Sequence, residues 1–289
     1  MTEDQALGAI VGLAIGDALG TTLEFGRNPS PDRSTWLTDI AGGGPFEMPV
    51  GGWTDDTSMA LALMESYLDA GKFDPELAGE YFVQWWRDGA FSHSGICFDI
   101  GMTTKEALGR FENKRKGASP YVGGIHDWES GNGGIMRLSP AVVANHTNLK
   151  AAVRDAKLQS AITHQSRECL LYADLLARVL WYGDPFIDDV EGYVLSDNTD
   201  WSDLLSGGYV KETWQCAMWC TRNTSSFEEA VIHAVNKKYD SDTVGAVTGQ
   251  IAGAMYGLSG IPERWLDTLV WRDCITLKVN SLYELGTIS

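Results

Sequence analysis

Positive charge is scarce in this chain. Its 22 Lys and Arg stand against 39 Asp and Glu, for a net charge of −17. That deficit argues against a general nucleic-acid or anionic-membrane surface, whose affinity would rest on Lys and Arg. An anionic ligand would need positive charge from metal ions or helix N-termini. Cysteine is also sparse. Cys97, Cys169, Cys216, Cys220 and Cys274 form no CxxC pair and are odd in number, which fits a reducing cytoplasm better than a disulfide scaffold. Cys216 and Cys220, one helical turn apart in a Trp-rich run, read as core residues. No basic, apolar leader is expected, since Met1-Thr2-Glu3-Asp4-Gln5 is acidic. The apolar stretch from Ala6 to Leu19 is short for a bilayer and contains Asp17. Alternating β-branched patterns are rare, and no repeat array, low-complexity tract or clear linker occurs.

What the chain does contain is material for a helical core: 289 residues, 44% hydrophobic and 21% charged. Ala60, Leu63, Met64, Tyr67 and Leu68 recur at i, i+3, i+4 spacing, and Gly71 ends the run. Similar patterns cover about 77–87, 99–111, 149–159, 164–182, 208–222 and 226–237. Glycine-rich connections at 26–53 and 117–134 are where sites tend to be carried. The acidic, aperiodic region 183–206 reads as a surface excursion. The expected fold is all-α, a single-domain orthogonal helical bundle over residues 1–289.

Two acidic motifs stand far apart in the chain, each opening an expected helix: Thr54-Asp55-Asp56-Thr57 and Asp240-Ser241-Asp242-Thr243. Each offers two carboxylates and a threonine hydroxyl within four residues, the oxygen-only set that hard divalent cations prefer. Asp and Thr also cap helices, but a cap needs one acceptor and both motifs carry more. Clustered carboxylates repel one another unless cations stand between them. An EF-hand reading of the second motif fails, because Val244 and Ile251 occupy ligand positions. A binuclear metal centre is the expectation. His93, His126, His146 and His233 make no HxxxH or facial-triad pattern, which argues against zinc or non-haem iron.

Glycine recurs every four residues at Gly8, Gly12, Gly16 and Gly20, and again at Gly245, Gly249, Gly253 and Gly257. Each helix-interior glycine costs about 1 kcal/mol relative to alanine. The expected return is close approach of two helix backbones. Such packing would bring Asp17 and Glu24 near the second acidic motif.

Ordered segments along the chain carry a resemblance. They begin with Gly12-Leu13-Ala14-Ile15-Gly16-Asp17-Ala18-Leu19-Gly20, Leu23-Glu24-Phe25 and Trp53-Thr54-Asp55-Asp56-Thr57. Phe98-Asp99-Ile100-Gly101, Gly131-Asn132-Gly133-Gly134-Ile135-Met136-Arg137 and Thr163-His164 follow, then Gly208-Tyr209-Val210 and Asp240-Ser241-Asp242-Thr243-Val244-Gly245. From about residue 5 to residue 258 the chain resembles the ADP-ribosylglycohydrolases, and more closely the dinitrogenase-reductase-activating type, which removes ADP-ribose from arginine. The resemblance implies an all-helical fold with two Mg²⁺ or Mn²⁺ ions at the base of a cleft. It implies that Thr54, Asp55, Asp56, Asp240, Asp242 and Thr243 are the metal ligands and that Glu24 is the acidic residue beside them. Asp99 matches the aspartate near the scissile bond. Ser130, Gly131, Asn132 and Gly133 match the diphosphate loop, Tyr209 matches the aromatic facing adenine, and His164 matches a histidine near the ligand. One departure stands out: Lys237, Lys238 and Tyr239 occupy positions where the family usually has glycine, so a left-handed backbone there would be strained.

Hydrolysis at the anomeric carbon of ribose passes through an oxocarbenium-like state. Glu24 would orient or deprotonate water, or hold the ribose, and Asp99 would meet the departing guanidinium; which carboxylate is the base stays open. Asp99 could equally cap a helix beginning at Ile100. Arg137 could add charge near the diphosphate or pair with an internal acid. The expected substrate is an ADP-ribosylated protein, with ADP-ribose as product and neither nucleic acid nor membrane as partner. Alternatives are ADP-ribosyl-serine or a small ADP-ribose ester as substrate, or an immunity protein that binds an ADP-ribosyltransferase toxin.

Overall fold

Helix boundaries follow local chemistry. Thr2 opens the first helix, α1 (Glu3–Gly20), by a capping box: its hydroxyl accepts from the Gln5 N–H at 3.2 Å and the Gln5 side chain accepts from the Thr2 N–H at 2.9 Å. Helices α2 (Asp55–Ala70) and α3 (Pro75–Asp88) each stop at a left-handed glycine, Gly71 and Gly89. After α4 (Met102–Glu112) and the short α5 (Ser139–Val143), Asn148 caps α6 (Leu149–Ala161) and Ser166 caps α7 (Arg167–Tyr182). The chain continues through α8 (Val210–Arg222), α9 (Phe227–Val235), α10 (Ser241–Tyr256), α11 (Glu263–Leu266) and α12 (Arg272–Ile288). This architecture comes from a computed structural model that describes residues 1–196 and 198–288. Among them, β-structure is limited to isolated bridges, so the all-α expectation holds.

The glycine series meet as expected. A Cβ on Gly8, Gly12, Gly16 or Gly20 would strike the carbonyl of Gly253, Gly249, Gly245 or Ser241 respectively. Partner numbers fall as the α1 numbers rise, so α1 and α10 run antiparallel in backbone contact through the middle of the protein. That register sets the C-terminal end of α1 against the N-terminus of α10, where the second acidic motif lies. Gly257 differs from the rest of its series: it has φ +74° and its Cβ space is filled by Asp4.

Taken with its following turn, α1 covers Glu3–Leu23 and is long and apolar enough to cross a membrane, against the shorter stretch read from sequence. Its apolar side chains instead fill the core: Ile10, Val11, Leu13, Ile15 and Leu19 are all buried among neighbouring helices. Region 183–206 also departs from expectation. It supplies buried Val190, Trp201 and Leu204, and the Trp201 indole N–H donates to the His233 carbonyl at 3.0 Å. Residue 197 lies outside the described residues.

Candidate active site

Both acidic motifs sit at helix N-termini, yet neither N-cap residue caps its own helix. Thr54 and Asp240 occupy the N-cap positions of α2 and α10 without a side-chain cap bond. Other carboxylates do that work from a distance. Asp17, fully buried in α1, accepts from the Thr54 N–H at 2.9 Å, the Thr54 hydroxyl at 2.9 Å, the Thr57 N–H at 3.0 Å and the Thr57 hydroxyl at 2.6 Å. Glu24 Oε2 accepts from the Ser241 N–H at 2.7 Å and the Asp242 N–H at 3.4 Å. The helix ends are thereby satisfied; Asp55 and Asp56 are released from capping, while Asp242 Oδ1 still accepts from the Thr243 N–H at 2.7 Å. The α1–α10 register places both Asp17 and Glu24 at this end of α10, as expected, but they divide the capping: Glu24 serves α10, while Asp17 serves α2.

The two motifs form one cluster. The Thr243 hydroxyl donates to Asp56 at 3.4 Å, and carboxylate oxygens of Glu24, Asp240 and Asp242 lie within 4.8 Å of one another. Glu24, Asp55, Asp99, Asp240, Asp242 and Thr243 line a cleft of about 240 Å³, together with Gly131, Asn132, Gly133 and His164. Thr54 and Asp56 lie buried directly beneath.

Desolvation and mutual repulsion push these acids upward: Glu24 to about 8 and Asp99 to about 7, each by burial first and the Asp240 charge second. Asp55, Asp56 and Asp242 are raised well above the usual carboxylate range by burial first and then by neighbouring acids, Asp99 for Asp55, Asp17 for Asp56 and Glu24 for Asp242. Asp56 Oδ1 and Asp242 Oδ2 are buried without any hydrogen-bond partner. Unpartnered buried carboxylate oxygens among like charges fit hard divalent cations. Asp17 differs: burial lifts it to about 6, but the Thr54 and Thr57 donors hold it down, so it is ionised near neutrality.

Asp99 is not a helix cap. Helix α4 begins at Met102 with Gly101 before it, and Asp99 stands in a loop at φ +56°, facing the cleft. His164 likewise precedes its expected helix, because Ser166 caps α7. Asn132 joins the glycine loop to the second motif, its amide donating to Asp240 at 2.9 Å and to Thr213 at 2.9 Å. The loop glycines serve space rather than left-handed geometry. A Cβ on Gly133 would lie 2.5 Å from the His164 ring, and one on Gly134 would collide with Ser160. Ser130 lies buried behind the loop, its hydroxyl 2.7 Å from that of Ser166. Tyr209 stands half-exposed, bridged to Gly131 through the backbone, with its hydroxyl donating to Glu168 at 2.7 Å.

Arg137 does not reach the cleft, which corrects its reading as a ligand contact. It is fully buried, stacked on Phe82 at 4.4 Å, and donates to Gln159 and Thr163. The backbone before Asp240 is left-handed: Lys238 has φ +60° and Tyr239 φ +61°. Reciprocal bonds hold it, from the Phe25 N–H to Tyr239 O at 2.7 Å and from the Tyr239 N–H to Gly26 O at 2.9 Å. The capping role of Asp17 was not apparent in the sequence, where it stood only within the glycine series and the first segment of the resemblance.

Comparison with known proteins agrees with this geometry. The ADP-ribosylglycohydrolase family model matches residues 1–287. The chain is 40% identical to the ADP-ribosylarginine hydrolase Tri1 of Serratia proteamaculans, covering 98% of this chain and 80% of that protein. It is 30% identical to the ADP-ribosyl-dinitrogen reductase glycohydrolase of Rhodospirillum rubrum, covering 92% of this chain and 90% of the relative. A solved ADP-ribosylglycohydrolase-related protein complex superposes with a TM-score of 0.82 at 34% identity, covering 98% of both chains. With the match running along nearly its whole length, this chain belongs to the ADP-ribosylglycohydrolase family.

Proposed function

We propose that this protein is a divalent-cation-dependent hydrolase that removes ADP-ribose from mono-ADP-ribosylated protein, with arginine as the modified residue. The observation that carries the reading is the convergence of both acidic motifs, with unpartnered Asp56 and Asp242 oxygens, in a cleft that Asp99 also faces. The arginine linkage is supported by the relatives named as ADP-ribosylarginine hydrolases.

Thr54, Asp55, Asp56, Asp240, Asp242 and Thr243 would hold two Mg²⁺ or Mn²⁺ ions. Bound there, the ions would offset the clustered negative charge and supply Lewis acidity toward sugar oxygens and water. Thr54 gives its proton to Asp17, which leaves its oxygen free to act as a ligand. Glu24 is fixed through Oε2 to the N-terminus of α10, leaving Oε1 to orient or deprotonate the attacking water. Negative charge from Asp99 suits a departing guanidinium, which a carboxylate can meet with two parallel hydrogen bonds. We assign the Ser130–Gly133 loop to the diphosphate and Tyr209, tethered through its hydroxyl, to adenine.

The test is release of free ADP-ribose from arginine-modified and serine-modified protein, with Mg²⁺, with Mn²⁺ and with chelator. Metal-dependent release from arginine supports the reading. Release from serine alone would replace the linkage, and release undiminished by chelator would remove the metal dependence.

A further inference from the structure

His164 is almost entirely buried, yet it lines the cleft beside Gly131 and Gly133. Its Nε2 faces those glycines: a Cβ on either would lie 3.1 Å from it. Its other nitrogen, Nδ1, stands 2.9 Å from the Thr163 hydroxyl oxygen. That oxygen also accepts from Arg137 Nη2 at 2.7 Å. Arg137 can only donate, so this bond occupies a lone pair of Thr163 and leaves its hydroxyl hydrogen to be placed. Among the described residues, the remaining polar partner of that oxygen is His164 Nδ1. Thr163 therefore donates to Nδ1, and the imidazole proton belongs on Nε2.

We propose that Arg137, acting through Thr163, is a positioning residue that locks His164 as a neutral Nε2–H donor aimed at an anionic ligand oxygen beside Gly131 and Gly133. The assignment of that oxygen to the ADP-ribose diphosphate rests on the function proposed above. Neutrality has a use in this cleft. A charged imidazolium would be drawn to the neighbouring carboxylates, whereas a neutral N–H can serve the ligand. The buried guanidinium opposes protonation of the ring, and burial does so more strongly, holding His164 down to about 3. The sequence-level question over Arg137, whether it pairs with ligand or internal acid, thus resolves into a third role: it reaches the ligand through two intervening side chains.

The test reads the tautomer directly. Long-range ¹H–¹⁵N correlation spectra of the full-length protein resolve its five histidines, and loss of one pattern in His164→Gln assigns it. The expected wild-type pattern is Nε2 protonated and Nδ1 bare, unchanged from pH 8 to pH 5. Thr163→Val and Arg137→Met should each yield a tautomer mixture, and Thr163→Ser should restore the single form. Thr163→Val should also weaken binding of free ADP-ribose about tenfold, the loss expected for one hydrogen bond to a charged acceptor, and with ADP-ribosylated substrate should raise KM more than it lowers kcat. A wild-type ring protonated on Nδ1, or a tautomer indifferent to both Thr163→Val and Arg137→Met, overturns the relay. The tautomer is read without substrate, so the relay can stand while the arginine-linkage reading fails, and the reverse.

Discussion

Asp17 Oδ2 accepts the Thr57 hydroxyl at 2.6 Å and the Thr57 backbone N–H at 3.0 Å. A carboxylate from the central helix thereby takes over the capping of α2, and Asp55 and Asp56 are spared that task. Glu24 repeats the arrangement for α10 through the Ser241 N–H. Two helix N-termini can then present their acids side by side without losing their own backbone hydrogen bonds.

Asp17→Asn keeps the shape but leaves one acceptor oxygen where two now take at least four donors. Unfolding free energy should fall by about 2–4 kcal/mol, since buried donors lose their partners. Divalent-metal affinity should fall roughly 10–100-fold, as it does when groups supporting a metal shell are removed. Denaturant titration and calorimetry check the two separately, and an unchanged unfolding midpoint would remove the capping role.

Asp56→Asn should have opposite effects with and without metal. Asp56 is buried, its Oδ1 has no partner, and burial and the charges of Asp17 and Asp240 push it well above the usual range. Removing that charge should stabilise the metal-free chain by on the order of 1–2 kcal/mol, while the Tm rise expected for the wild type in Mg²⁺ or Mn²⁺ should be absent. Scanning calorimetry in chelator and in excess metal reads both. A variant less stable than wild type in chelator would mean that the acids are not in mutual conflict.

Lys238 holds a left-handed backbone beside Asp240, and its ammonium donates to the Asn28 carbonyl at 3.4 Å. A non-glycine residue there costs about 1–2 kcal/mol, against roughly 0.5–1 kcal/mol for the extra unfolded-state freedom of glycine. Lys238→Gly should therefore raise unfolding free energy by about 0.5–1 kcal/mol. A drop in stability would show that the lysine side chain matters more than the backbone strain.

His164 gives a pH signature with a definite sign. Its folded pKa, near 3, lies below the unfolded value of about 6.5. Below pH 6.5 the unfolded chain binds a proton that the folded chain does not, so this contribution is complete above pH 6.5 and is lost as pH falls toward 3. The stability difference between wild type and His164→Gln should move against the wild type by roughly 2 kcal/mol between pH 7.5 and pH 5. A pH-independent difference would mean that the ring is not held neutral.

The legible and illegible parts of the sequence divide along physical lines. The four-residue glycine spacing announced the α1–α10 contact because few other uses justify so many helical glycines. Both acidic motifs were legible because capping alone needs fewer acceptors. Asp17 and Arg137 were not. Their roles depend on partners distant in sequence, Thr54 and Thr57 for one, Gln159 and Thr163 for the other. Asp99 and His164 were read into helices because periodicity runs on past a true start. The caps at Gly101 and Ser166 decide where those helices begin.

The most direct measurement is metal content and ADP-ribose release from arginine-modified protein, on wild type, Asp55→Asn and Asp242→Asn in parallel. One residue comes from each motif, and their shared cluster predicts two divalent ions per wild-type chain. Either substitution should then lose metal and reduce release at least about a hundredfold, given that metal-dependent transition-state stabilisation is worth several kcal/mol. Full metal content and turnover in both variants would contradict a single centre built from the two motifs.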